Sequence, residues 1–75
     1  MEGKAETKEP QNLMEGLFAQ MNRVREMMAL YRTIPMGFIA ADLMQLALNR
    51  AQRSIEQNDV VAMLQSYAEL EAYED

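Results

Sequence analysis

The sequence predicts an all-α chain: three helices in antiparallel up-down-up order, the first of them long, associating into a homo-oligomeric helical bundle. Three observations lead there. Apolar residues recur at three- and four-residue spacing in three separate stretches, and no alternating run survives that helical period. Two short segments, Thr33-Ile34-Pro35-Met36-Gly37 and Gln57-Asn58-Asp59, interrupt the stretches with helix-breaking residues. Finally, 49% of the 75 residues are apolar and none is Cys. A chain this short buries roughly 60% of its unfolded surface on folding, and without a disulfide a second copy is a common way to complete the core.

Residues 1–11, with Gly3, Pro10 and mixed charge, hold little to bury and read as a disordered leader. A single helical domain over 12–75 follows, with helices expected at about 12–32, 36–57 and 60–73. Asn12 is a good N-cap for the first helix, and Glu15 stands three places on, as in a capping box. From there Met14, Leu17, Met21, Val24, Met28 and Tyr31 form an a/d seam, widened by Leu13, Phe18 and Met27. Such a stripe is too wide for one partner helix. It marks Met14, Leu17, Phe18, Met21, Val24, Met28 and Tyr31 as core and as the expected oligomer interface.

Pro35 cannot continue the first helix and is welcome in the first turn of the next. The second helix then carries Ala40, Leu43, Met44, Ala47, Leu48, Ala51 and Ile55 as its apolar stripe, with alanines that permit close approach. Asn58 suits the left-handed position after a helix, and Asp59 can cap the third. That helix is expected to bury Val60, Met63 or Leu64, Tyr67 and Leu70. Its acidic end opposes the helix dipole. In an up-down-up order Glu69 and Glu71 lie at about the height of Arg23 and Arg25, so the charges are expected to pair within the fold or across a dimer.

Composition excludes most chemistry. There is no His and no Cys, which removes the usual general base, thiolate nucleophiles, and Cys- or His-based metal sites. Ser54 and Ser66 have no base to activate them. The carboxylates Glu15, Glu26, Asp42 and Glu56 read as solvated charge on a bundle with little concavity, not as an acid–base pair. Glu69, Glu71, Glu74 and Asp75 lack the loop spacing of a calcium site. No enzyme activity, cofactor or metal is expected.

Twelve acids against seven bases give a net charge of −5, which weighs against general phosphate-backbone binding. The bases are nevertheless gathered in the middle, so Arg23, Arg25, Arg50 and Arg53 stand as candidate nucleic-acid contacts. The seven methionines after Met1 fit helical spacing and read mainly as core. Met27 and Met36 fit the seams least well. With Ile34 and Phe38 they are expected to form an apolar knob at the first interhelical turn, facing a partner protein.

The stretches Leu13-Met14-Glu15-Gly16-Leu17-Phe18, Met21-Asn22-Arg23-Val24-Arg25-Glu26 and Asp59-Val60-Val61-Ala62-Met63-Leu64-Gln65-Ser66-Tyr67-Ala68-Glu69-Leu70 resemble a group of short helical proteins encoded in bacteriophage and prophage genomes. The likeness spans most of residues 12–73 and rests on helix-packing positions, so it carries over no site residues. It implies a phage-type accessory protein in the bacterial cytoplasm. Together with the missing catalytic side chains, it sets the functional expectation: regulation or adaptation by protein–protein contact. A nucleic-acid accessory or a phage assembly component is the alternative.

Overall fold

The computed structural model describes residues 12–74, which form three helices: α1 (Leu13–Tyr31), α2 (Phe38–Glu56) and α3 (Val60–Glu71). Each packs against the other two around one core. No strand occurs among the described residues. The expected leader, residues 1–11, lies outside them.

Local chemistry sets the boundaries. The Asn12 side chain accepts a hydrogen bond from the Glu15 backbone N–H at 2.8 Å, satisfying one of the donors a helix start leaves unpaired. After Tyr31 the chain tightens: the N–H groups of Thr33 and Ile34 donate to the carbonyls of Leu30 and Tyr31. Met36 then takes a left-handed conformation, φ 70°. That conformation forbids helix at 36, so α2 begins at Phe38 and Pro35 sits in the connecting turn instead of a first helical turn.

The second connection closes as its residues predict. Asn58 is left-handed, with φ 54°. The Asn58 N–H donates to the Ile55 carbonyl and the Asp59 N–H to the Ser54 carbonyl, the paired bonds of a Schellman stop. Asp59 in turn accepts from the Ala62 N–H at 3.1 Å and caps α3. That helix ends at Glu71, two residues earlier than its period suggests, and Tyr73 turns back onto the core.

The core is built from Leu17, Met21, Val24 and Met27 of α1, Ala41, Met44, Ala47, Leu48 and Ala51 of α2, and Met63 and Leu70 of α3. Met14, Met28 and Tyr31 are half-buried against it. The α1 stripe is therefore covered largely by its own chain and is no free face for a second copy. Its breadth reflects two neighbours within the monomer. Gly16 and Met27, three turns apart on one side of α1, are both buried, and Gly16 lines a cleft with Leu64 and Tyr67 of α3. Met27 is thus only 5% exposed and belongs to no surface knob. Phe18, grouped with the core by its spacing, is exposed.

On α2, Ala41 and Ser54 are buried where Leu43 was expected, and Leu43 points outward. On α3, Val60 and Leu64 are exposed while Ser66 is buried beside Met63 and Leu70. Small residues on α2 let the other helices approach closely, which is how so little mass encloses a core.

Candidate protein-interaction surface

Helix length creates the surface. At 1.5 Å per residue, α1 and α2 are each about 28 Å long and α3 about 18 Å. Two polar contacts mark where α3 runs out. The Arg23 guanidinium donates to the Leu70 carbonyl at 2.9 Å, and Arg50 grips Glu69 with both Nε and Nη2. Beyond Arg23, α1 continues for two turns, and beyond Arg50, α2 extends three turns towards its N-terminus. That end of the molecule is two helices thick.

Ile39, Leu43, Leu46 and Arg50 follow one another at helical spacing and share a face of α2. At Arg50 the face is met by Glu69 of α3. At the three apolar positions it is bare, each side chain being about half exposed. Leu30 near the end of α1 is 66% exposed, and the connecting turn adds Ile34, Met36 and Phe38, with Met36 at 70%. These seven exposed residues make up an apolar ledge at this end, with Ile39, Leu43 and Leu46 on its α2 face and Phe38 about 140° round the same helix from Leu43. A cleft of about 240 Å³ lies along its α1 side, lined by Arg23, Glu26, Met27, Leu30 and Tyr31.

The ledge is almost free of charge. Between Thr33 and Asn49 the sequence has one ionisable side chain, Asp42, and it lies 3.5 Å from Arg32. Ile34, Met36 and Phe38 occupy the exposed positions their sequence context suggests. Leu43 is expected in the α2 core stripe by its spacing, whereas Leu30, Ile39 and Leu46 fall outside both stripes and are not singled out. The available signal was arithmetic: α2 carries more apolar residues than one face can bury, and α3 is too short to cover a second.

Of the four candidate arginines, Arg50 and Arg53 share a cleft, Arg23 meets the same end of α3 as Arg50, and Arg25 pairs within α1. Arg23 satisfies a carbonyl at the C-terminal end of α3, and its Nε donates to Gln20 at 3.0 Å. Arg25 donates to Asn22 on its own helix at 2.9 Å. Arg50 is held by Glu69, whose hydrogen bond and negative charge raise the guanidinium above the ordinary arginine value. Arg53 lines a cleft of about 250 Å³ between α2 and α3 together with Arg50, Gln57, Gln65, Ser66 and Glu69. The expected height match is present, because Arg23 does reach the end of α3. The carboxylate Glu69, however, is taken by Arg50 of α2.

Among the described residues no three acidic side chains stand together as a metal site, and no helix is long and apolar enough to cross a membrane. No family model, no curated protein and no solved structure matches the chain.

Proposed function

We propose that the chain is a small non-catalytic accessory protein that acts by binding another protein through the ledge at the α1–α2 end. In this reading the helices run up-down-up, which agrees with the contacts Arg32–Asp42, Arg50–Glu69 and Arg23–Leu70. The observation that carries the reading is the ledge itself. Seven large apolar side chains stand half or more exposed at one end of the chain, and Asp42 is the one ionisable residue between Thr33 and Asn49, as suits an interaction surface. The resemblance to short phage-encoded helical proteins supplies the setting, a regulator or adaptor in the bacterial cytoplasm.

The arginines support a phosphate-binding reading less well. Arg23 and Arg50 are engaged at the end of α3, and in the cleft that Arg50 shares with Arg53 the carboxylate of Glu69 offsets their charge. The deciding experiment is cross-linking in host cells with the full chain and with the variant Ile34→Lys/Met36→Lys, matched for helicity by circular dichroism. The reading requires at least one protein, the chain itself included, to be cross-linked by the native chain and lost by the variant. If the native chain captures no protein but shifts nucleic acid in a salt-sensitive manner, the reading is wrong.

A further inference from the structure

The ledge is a place where the bundle is unfinished, and its dimensions say what finishes it. Where α3 lies, α1 and α2 have a third helix against them. Past Leu70 they have none among the described residues, apart from Tyr73 turning onto the core. A two-helix layer with an apolar face is completed by another two-helix layer, which makes a four-helix bundle.

The geometry points to a second copy of this chain as the occupant, with the α1–α2 end of each protomer packed on that of the other and the two α3 helices at opposite outer ends. This inference rests on the reading of the ledge as a protein-binding face and names the partner.

Three features of the surface favour the second copy. The first is charge. In a two-fold contact every residue near the axis meets its own like, so a charged patch would repel itself. The stretch 33–49 holds only Asp42, already against Arg32, and the nearest other charges, Arg23 and Glu26, stand on the α1 margin beside Leu30. A strongly charged partner would find no complement there.

The second feature is area. Leu30, Ile34, Met36, Phe38, Ile39, Leu43 and Leu46 keep between half and 70% of their surface exposed. Summed over seven large side chains, that is on the order of 800 Å², what one protomer contributes to a standard-size interface.

The third is shape. The ledge exists because α3 is shorter than its neighbours by about 10 Å at helical rise, so the partner's protruding pair of helices enters the step without meeting α3. The α1 stripe that sequence spacing suggested as the interface takes no part, since Leu17, Met21 and Val24 are already enclosed.

Sedimentation equilibrium from 1 to 100 μM tests the inference on four full-length chains: the native protein, Leu43→Lys, Ile39→Lys, and Leu64→Lys as a control at a half-exposed position of α3, beside the Gly16 cleft and away from the ledge. All three substituted positions are exposed in the monomer, and the chains are matched for helicity by circular dichroism. The native chain and Leu64→Lys should both sediment at twice the 8.6 kDa chain mass. Leu43→Lys and Ile39→Lys should each lose the dimer and sediment as monomers over the same range, as a charge placed at an interface centre in both protomers does.

A monomeric native chain at 100 μM overturns the inference. So does a dimer that Leu64→Lys splits and Leu43→Lys does not, or an assembly larger than two. A monomer that still captures a different protein through Ile34 and Met36 defeats self-association alone and leaves the broader reading intact. A monomer that captures nothing defeats both.

Discussion

Met36 and Gly37 divide between them two demands that one glycine often meets alone. Met36 takes the left-handed conformation, at a cost of about 1–2 kcal/mol for a residue with a Cβ. Gly37 has an ordinary φ of −70°, open to any residue. Its constraint is space, since a methyl group there would stand 2.0 Å from the Tyr31 carbonyl oxygen. The neighbours should therefore respond in opposite directions. Met36→Gly removes the strain and adds back some chain entropy, for a net gain on the order of 0.5 kcal/mol. Gly37→Ala pushes the start of α2 away from the end of α1 and costs about 1–3 kcal/mol. Urea unfolding in a Leu43→Lys background, which keeps association out of the comparison, measures both. Shifts of the same sign would contradict the division of roles.

At the scale of the element, α3 is held by its ends. Asp59 caps its start, and Asp59→Ala should cost about 1 kcal/mol. Its far end carries Glu69, Glu71 and Glu74, a charge arrangement that opposes the dipole. Arg23 offsets this by donating to the Leu70 carbonyl. Arg23→Met keeps most of the stem's packing and loses the charged hydrogen bond, worth about 1–2 kcal/mol. Hydrogen exchange should localise that loss to residues 70–72 and leave the start of α3 protected; uniform loss would show that Arg23 acts on the whole fold. Arg50 supports the same end through Glu69, and because its folded-state value is raised, its own charge is lost from the pair only as pH rises through the range where arginine titrates.

The caps at Asn12, Asn58 and Asp59 were legible in the sequence because capping is settled within four or five residues. Which apolar residues face inward was only partly legible. Spacing places Leu17, Met21 and Val24 correctly, since they lie in the middle of a face whatever packs on it. It cannot decide Met27 against Met28, or Ala41 against Leu43, because those depend on the direction from which a third helix arrives. The ledge was half legible for the same reason. Ile34, Met36 and Phe38 sit in or beside a turn, whereas Ile39, Leu43 and Leu46 are exposed by the early end of an element distant in sequence.

The molecule as a whole has little stability to spare. A domain of this length holds on the order of 4–10 kcal/mol in total, and Met21→Ala, which empties a fully enclosed site, should remove about 2–5 kcal/mol of it. Met21→Leu, nearly equal in volume, should cost under about 1.5 kcal/mol. The two-helix end is the weakest part of such a body, because α1 and α2 there bury only one face each and open more readily than the three-helix end. If a second copy covers that end, folding and association become one equilibrium, and stability must depend on concentration by mass action. Raising the chain from 2 to 200 μM should then lift the midpoint of thermal unfolding by about 4–8 °C, the shift that roughly 1 kcal/mol per chain produces at this size. The same hundredfold change should leave Leu43→Lys unmoved. A native midpoint equally indifferent to concentration would mean that the two-helix end is stable uncovered, and that the methionine-rich core of a single chain is sufficient to hold it closed.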